Sequence, residues 1–434
     1  MFRRKFVRLV LAGVLGVTER GLSGDWPRFL GPEHDAKADP RDAVGMWPEG
    51  GLRKEWEFGK GKGWACPVVS GGRVLVFHRE GEREVLDCLD AATGGRVWQF
   101  AYEAPYRDRY GSGEGPRTSP VVSGGRVVLY GVTGLLHCVE WGTGRVLWKR
   151  NLERDFQMRA NFFGYGSTPL VVEGKVVVPV GGERGQCVVA LDLEDGTERW
   201  VASHPWGAGY ASAVPGRARL GGEECGVVWV FAGGESRPPT GGLLCLETKT
   251  GRVVGEVAHR ARIAESVNAA SPVVMGSRAF ATEGYGSGGV LAEVKEEGGL
   301  RVVWRTSKLG SQFVTPIFRQ GLILGFDGQN PRLASLVGLD AETGEERFRE
   351  DFGGGFGRGN LVDLGESGVL AVGEFGEVLR FCVGARGVEV QQRTRLFEAP
   401  ETWAMPALAG RRLYVSQNER GRDGSGPRVV CYSF

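Results

Sequence analysis

The chain has 434 residues, of which 41% are hydrophobic and 24% are charged, a composition typical of an ordinary globular protein. Its formal net charge is only +2, and no basic run interleaves with aromatic residues. These two features exclude the electrostatic pattern of a nucleic-acid-binding protein. The 72 glycines indicate a chain with many tight turns.

The N-terminus has the pattern of an export signal. Four basic residues stand in the first eight positions, an apolar stretch runs over 9–17, and small residues follow at Ser23 and Gly24. The apolar stretch is too short to cross a membrane, and no other stretch qualifies. We therefore predict a signal peptide over 1–24, a lead segment over 25–46, and a periplasmic or secreted protein without a membrane span.

From residue 66 onward, one phrase recurs with variations. It is a strand that opens on Ser/Thr-Pro-Val-Val, then a second strand, then a third that ends in Leu-Asp-x-x-Thr-Gly before a Trp. The eight equivalent positions at the start of the opening strands lie 44 to 59 residues apart. They are Pro67, Pro120, Pro169, Ala213, Pro272, Pro316, Leu361 and Pro406.

These repeats predict an all-β, eight-bladed β-propeller over 47–434 that is a monomer. The units contain β-branched runs broken by Gly-Gly or Glu-Gly turns and show no helical period, and their length suits four short strands each. The last unit stops one strand short of a blade at Phe434. We expect the alternating segment over 52–58 to supply the missing outer strand, since this would remove a free sheet edge.

The segment Cys88–Trp98, CLDAATGGRVW, resembles the tryptophan-docking repeat of quinoprotein alcohol dehydrogenase-like propellers, the pyrroloquinoline quinone (PQQ) repeat. Partial copies contain Thr143 with Gly144, Thr250 with Gly251, and other pairs in later units. Gly provides the positive φ that such a turn needs. We expect the Trp to pack across blades, so the Asp and Trp of the repeat are structural residues.

Longer segments resemble a narrower group, the secreted PQQ-like repeat proteins of Planctomycetes and Verrucomicrobia, which are distantly similar to the outer-membrane assembly lipoprotein BamB. These segments are 25–32, 233–246, 265–274 and 357–378. BamB is lipid-anchored through a Cys beside its cleavage site, whereas the first Cys here is Cys66. The resemblance therefore implies a BamB-like propeller without the lipid anchor.

The eight cysteines do not have the pattern of a disulfide framework. Five of them occupy equivalent slots in the third strands, where neighbouring sheets lie about 10 Å apart, beyond disulfide reach. We interpret these five as small buried apolar residues: Cys88, Cys138, Cys245, Cys382 and Cys431. For Cys66, Cys187 and Cys225, disulfide pairing remains open at this stage.

In a propeller, the residues just before each inner strand should form the mouth of a central funnel. They are Trp64, Arg117, Tyr165, Tyr210, Asn268, Gln312, Arg358 and Trp403. Aromatic faces and forked guanidinium donors suit a planar or sugar-like ligand that carries negative charge. The alternative is that this set is a solvated mouth plugged by large side chains. The long loops nearby carry further arginines and are expected to contact partners: Arg107, Arg109, Arg154 and Arg159.

Directly after the second strands of units three to seven stand acidic residues, each beside a Gly. They are Glu183, Glu235, Glu283, Asp327 and Glu374. Ordinary turn chemistry explains such residues. The alternative hypothesis is that some of them pair with funnel arginines or hold Ca²⁺, which takes oxygen ligands.

Two functions are open. The first is an exported, non-catalytic propeller that binds a cell-envelope protein or a glycan through its loop-rich funnel face, with no cofactor. The alternative, implied by the resemblance alone, is a dehydrogenase dependent on PQQ and calcium with the quinone in the funnel. The adjacent Cys-Cys pair of those enzymes is absent, and the five histidines show no zinc-binding spacing.

Overall fold

A computed structural model describes residues 24–42, 45–109, 111, 113–384 and 387–434. These residues form eight four-stranded antiparallel sheets. The described helical segments are one short α-helix, Leu152–Phe156, and three 3-10 turns, Pro40–Asp42, Pro331–Leu333 and Gly365–Ser367. None of the described helices is long and apolar enough to span a membrane. The predicted signal peptide lies outside the described residues except for Gly24.

We number the sheets as blades 1 to 8 and give their strands from the innermost outward. Blade 1 consists of Val68–Ser70, Arg73–Glu80, Arg83–Asp90 and Arg96–Glu103. Blade 2 consists of Val121–Ser123, Arg126–Tyr130, Leu135–Glu140 and Val146–Asn151. Blade 3 consists of Leu170–Val172, Lys175–Pro179, Gln186–Asp192 and Glu198–Ser203. Blade 4 consists of Val214–Leu220, Glu223–Ala232, Gly242–Glu247 and Val253–Ala258.

Blade 5 consists of Val273–Met275, Arg278–Glu283, Gly288–Val294 and Leu300–Thr306. Blade 6 consists of Ile317–Arg319, Leu322–Asp327, Ser335–Asp340 and Glu346–Glu350. Blade 7 is Gly359–Asp363, Val369–Gly373, Glu377–Gly384 and Gly387–Arg395. Blade 8 is Ala407–Ala409, Arg412–Gln417, Arg428–Ser433 and, from the N-terminal part of the chain, Arg53–Gly59. The predicted eight-bladed propeller is therefore confirmed.

The ring closes where the N-terminal strand joins the last blade, as the sequence predicts. Trp56 lies opposite Cys431 and Phe58 lies opposite Val429 in an antiparallel ladder. The inner strand of blade 8 contacts that of blade 1. Closure by a strand from the other end of the chain removes the free edges that an open array of sheets would leave.

Tryptophans in the outer strands connect successive blades, which confirms their predicted structural role. The indole N–H of Trp148 donates to the Leu193 carbonyl at 3.0 Å, and its ring lies against Gly196, in the turn between the third and fourth strands of the next blade. Gly196 has a φ of +73°, and a Cβ there would stand 2.7 Å from the indole ring. Four more tryptophans repeat the arrangement, and the sequence did not single out the first or the last: Trp56, Trp98, Trp200 and Trp304.

A ring of hydrogen bonds joins the inner strands at six of the blade junctions. At these junctions, the residue before the inner-strand Pro or its equivalent carries a hydroxyl or thiol that accepts the backbone N–H of its counterpart in the preceding blade. The equivalent residues of blades 7 and 8, Asn360 and Met405, carry neither group. Each donor-to-acceptor distance is 3.0 Å. Written from the backbone N–H donor to the side-chain acceptor, the bonds are Cys66 to Ser119, Ser119 to Thr168, Thr168 to Ser212, Ser212 to Ser271, Ser271 to Thr315, and Met405 to Cys66. The Ser/Thr of the recurrent phrase thus satisfies a buried N–H of its neighbour.

The lead segment crosses the central channel on the face opposite the predicted funnel mouth. Trp26 exchanges backbone hydrogen bonds with Val69 of blade 1 at 2.7 and 2.9 Å. Twelve residues along the segment, Ala38 donates to the Asp363 carbonyl of blade 7 at 2.9 Å. Asp25 accepts from the N–H of Gly71 in the turn between the first two strands of blade 1, which places the segment at the far end of the inner strands. The channel is therefore closed on that side.

All eight cysteines are free thiols in the described part of the chain. Of the five in third strands, four are buried and Cys382 is half-buried. Cys66 and Cys187 are buried and unpaired, and Cys225 is half-buried and unpaired, which answers the question that the sequence left open. Burial raises the pKa of the Cys66 thiol to about 11, so it serves as a neutral acceptor in the inner ring.

Candidate binding face around the propeller axis

The connections between blades bring a belt of aromatic and guanidinium groups together at the predicted mouth. Trp64 and Trp403, which precede the inner strands of blades 1 and 8, stack with their ring centroids 6.1 Å apart. The Arg117 guanidinium lies 5.1 Å from the Trp64 ring, and that of Arg358 lies 5.7 Å from the Trp403 ring. Four residues far apart in sequence therefore form one continuous surface.

Arg358 is buried and held by an internal network. It donates through Nε and Nη2 to the two carboxylate oxygens of Glu374 at 2.9 and 2.7 Å, and through Nη1 to Gln312 at 2.9 Å. The Trp403 indole N–H also donates to Glu374, at 2.7 Å. Gln312 in turn donates to the Tyr285 hydroxyl at 2.7 Å. The charge of this guanidinium is thus neutralised within the protein, by a bidentate pair.

Arg117 has a different environment. Its side chain, 14% exposed, donates to the carbonyls of Gly113 and Gly115 at 3.1 Å each and stands 3.6 Å from the nearest carboxylate oxygen of Asp108. Its guanidinium also lies 5.5 Å from the Phe163 ring. Burial lowers the pKa of Arg117 from its ordinary value. The positive charge of Arg117 is therefore less completely neutralised by neighbouring groups than that of Arg358.

The remaining predicted mouth residues are placed differently. Tyr210 is buried, and its hydroxyl accepts the N–H of Phe163 at 3.0 Å. Tyr165 packs on Tyr130 between blades 2 and 3, with ring centroids 6.0 Å apart. Asn268 is buried and donates to the carbonyl of Phe231 at 3.3 Å. These three residues support the blades beneath the mouth.

Two phenylalanines that the sequence reading missed take part in the belt. Phe163 lies beside Arg117 and Tyr210, and Phe313 lies 4.8 Å from Trp403 and 5.0 Å from Arg358. Each is within two residues of a position that was selected. The sequence could have indicated them because an aromatic residue stands beside each selected position. A shift of one or two residues in a loop changes which side chain reaches the axis.

The five acidic residues after the second strands each pair with an arginine. Two of the arginines, Arg109 and Arg159, belong to the long loops that the sequence marked. The pairs are Glu183 with Arg159 at 2.6 Å, Glu235 with Arg109 at 3.7 Å, Glu283 with Arg260 at 3.0 Å, Asp327 with Arg349 at 2.9 Å, and Glu374 with Arg358 at 2.7 Å. One of these arginines, Arg358, is a funnel residue.

The same carboxylates do not converge. Within the described ranges, no three His, Cys, Asp or Glu side chains come close enough together to hold a metal ion. Ca²⁺ takes six to eight oxygen ligands, so one arginine-paired carboxylate per blade does not provide its coordination shell. The acidic residues instead pair with arginines around the face, four of which lie in loops and one of which, Arg349, lies in the outer strand of blade 6.

The fold and this face define a tryptophan-docked β-propeller of the PQQ-repeat class. The family model described as outer membrane protein assembly factor BamB matches residues 81–350, more than half of the chain. The chain therefore belongs to this family.

In sequence, the chain is 31% identical over 144 residues to quinohemoprotein alcohol dehydrogenase ADH-IIG of Pseudomonas putida. The match covers 31% of the chain and 19% of that enzyme, so it spans about a fifth of the relative's length. Among solved structures, BamB from Moraxella catarrhalis matches with a TM-score of 0.59 at 16% identity, over 88% of this chain and 98% of that one. A europium-containing methanol dehydrogenase matches with a TM-score of 0.67 at 12% identity, over 95% and 98% of the two chains. At such identities, the structural likeness shows the fold alone.

Proposed function

We propose that this protein is an exported, non-catalytic scaffold that binds a cell-envelope protein or a glycan through its funnel face. The observation that carries the proposal is the state of the funnel. Arg358 is neutralised by Glu374, and Trp64 stacks on Trp403, so the mouth is a filled surface of aromatic rings. Such a surface, with Arg117 beside it, is enriched in the residue types that dominate protein interfaces.

The dehydrogenase alternative requires a quinone with three carboxylates and a Ca²⁺ ion in the funnel. The residues at the axis do not fit this group. Trp64 and Trp403 stack on each other rather than leaving space for a planar ring, and Arg358 is committed to Glu374. No cluster of three metal-ligating side chains stands among the described residues. We therefore derive no oxidation step for this chain.

Partner capture tests the proposal. Purified protein carrying a photo-crosslinker beside the mouth is incubated with envelope fractions of the source cells, and crosslinked species are compared between variants. Arg117→Gln and Phe163→Leu should abolish a specific crosslink. Arg217→Gln changes an exposed arginine of blade 4, paired with Glu224 at 2.7 Å, and should leave the crosslink unchanged. A crosslink that survives both mouth substitutions would refute the use of this face.

Thermal stability with PQQ and Ca²⁺ separates the two functions. A ligand that binds only the folded state adds about 2.7 kcal/mol of stability at a hundredfold excess over its Kd. We expect no shift in the melting temperature with either compound or with both. A shift that requires both would overturn the scaffold proposal in favour of a quinoprotein.

A further inference from the structure

A cleft of about 780 Å³ lies on the funnel face, away from the axis, between blades 4 and 5. Its floor is the connection 258–263 that links the two blades, and its walls are the turns 239–241 of blade 4 and 285–287 of blade 5. Trp206 and Arg305 flank it. All of these segments belong to the loops that face the same side as the funnel mouth. The cleft is large enough for several residues of a peptide.

The cleft has an excess of positive charge. Arg260 at its base has a side chain that is only 3% exposed. This side chain forms an ion pair with Glu283 at 3.0 Å and donates to the Ser266 hydroxyl at 3.0 Å. Arg262 and Arg305 are both exposed, and neither forms an ion pair with a carboxylate within the described residues. Arg305 donates to the Ala258 carbonyl at 3.0 Å and contacts the ring of His259. Among the residues that the structure describes, no Asp or Glu lines the cleft. Two unneutralised guanidinium groups therefore face it.

The histidine in the lining adds no charge at neutral pH. His259 is buried; its Nε2–H donates to the Gly288 carbonyl at 3.1 Å, and its Nδ1 faces Arg305 at 3.4 Å. Burial lowers the pKa of His259 to about 4, and the nearby positive charges of Arg305 and Arg260 act in the same direction. The ring is a neutral part of the wall that orients the Arg305 guanidinium.

The other lining residues determine which kind of chemical group can occupy the cleft beside the charged part of a ligand. Ile263 is 47% exposed at the edge of the cleft, and Trp206 and Pro239 add apolar surface. Three of the polar side chains are guanidinium groups, which donate hydrogen bonds and accept none, while the hydroxyls of Thr240, Tyr285 and Ser287 both donate and accept. In the described part of the chain, no carboxylate or amide side chain lines the cleft to accept from the hydroxyls of a sugar. The ligand that complements these guanidinium donors and this apolar surface carries a carboxylate attached to an apolar group.

We infer that the cleft between blades 4 and 5 binds a peptide segment that carries a carboxylate next to bulky apolar side chains. This inference deepens the proposed function and rests on it for the role of the peptide, which is part of a captured partner. The carboxylate bridges Arg262 and Arg305, while the apolar side chain packs on Ile263 and Trp206. Bidentate guanidinium-to-carboxylate bonds provide the specificity.

The test is a calorimetric titration of the purified full chain with two tripeptides that differ by one charge, acetyl-Glu-Leu-Phe-amide and acetyl-Gln-Leu-Phe-amide. We expect the Glu peptide to bind at least about tenfold more tightly, with an advantage that shrinks as salt screens the exposed arginines. The double variant Arg262→Gln with Arg305→Gln should lose that advantage, and Arg217→Gln should keep it. Since the substituted side chains are exposed, the folded state is checked simply by an unchanged melting temperature.

Each outcome decides the inference. Equal binding of the two peptides, or an unchanged preference in the double variant, would overturn it. Tighter binding of trigalacturonate than of the Glu peptide would assign the cleft to an acidic glycan and overturn the peptide assignment. The mouth variant Arg117→Gln should bind the Glu peptide like the wild type. Peptide binding without any captured partner would refute the scaffold proposal alone, whereas a captured partner without peptide binding would refute the cleft alone.

Discussion

The hydrogen-bonded inner ring makes a quantitative prediction for Ser271. Its hydroxyl accepts the N–H of Ser212 in the preceding blade at 3.0 Å, and Ser271 is 1% exposed. Ser271→Ala leaves that N–H buried without a partner, which costs about 1–3 kcal/mol. Ser416 provides a matched control, because it is equally buried but its hydroxyl has no partner among the described residues. Ser416→Ala should be neutral or slightly stabilising.

Heat is a weak probe of this difference. An unfolding entropy of roughly 2.1 cal/mol/K per residue amounts to about 0.9 kcal/mol/K for 434 residues. The expected change in melting temperature is therefore only about 1–3 °C. Hydrogen exchange read by mass spectrometry is sharper, since the affected amide, that of Ser212, lies in a short peptide over 205–215.

We expect Ser271→Ala to accelerate exchange in that peptide by about tenfold or more, in proportion to the lost free energy. Ser416→Ala should leave it unchanged. If the two variants exchange alike in this peptide, the hydroxyl ring contributes nothing to blade association, and the argument from buried N–H satisfaction fails.

Three further predictions concern packing and protonation. Gly196→Ala, whose Cβ would stand 2.7 Å from the Trp148 ring, should cost at least about 2 kcal/mol and red-shift the tryptophan fluorescence. Gly174→Ala, at a similar positive φ with open space around it, should show only the backbone cost and no spectral change. His259 has a pKa of about 4, so between pH 6.5 and 4 the unfolded chain binds a proton that the native state rejects. The wild type should lose about 2 kcal/mol at pH 5 relative to His259→Gln, and parallel stability curves would contradict this. Lys60 is buried with a pKa lowered by burial to about 7, so Lys60→Met should stabilise the protein at pH 7, by an amount that declines as the pH approaches 10.5. A pH-independent difference in urea denaturation would show that Lys60 is charged in the native state.

The candidate site was only partly predictable from the sequence. The repeat register located Trp64, Arg117, Arg358 and Trp403 at the axis, because each stands at a fixed offset from an inner strand. The selection was less accurate at Tyr165, which stands four rather than three residues before its inner-strand Pro and packs between blades. It also passed over the neighbouring phenylalanines. Loop side chains are aimed by the local path of the backbone, and a repeat pattern in the strands contains no information about that path.

The arginine partners of the acidic residues were also beyond the sequence. Glu283 and Arg260 are 23 residues apart and Glu235 and Arg109 are 126 apart, in different structural contexts. No spacing rule links such residues, since each pair depends on which loops and strand ends the folded ring brings together. The cleft between blades 4 and 5 has the same origin, because its walls come from three separate connections.

The sequence by itself determined the all-β class, the eight blades, the closure by the N-terminal strand and the structural role of the docking tryptophans. These features depend on local properties that recur along the chain: alternation of apolar residues, Gly at turns that need positive φ, and repeat length. Only the tertiary structure decided that the lead segment closes the channel, that the hydroxyls before the prolines form a ring between blades, and that Arg358 is neutralised by Glu374. The first two are contacts between blades or across the axis, and such contacts exist only once the ring has brought distant segments together. The third lies within blade 7, where Arg358 and Glu374 flank the paired residues Gly359 and Gly373, and it depends on how the two side chains are oriented there.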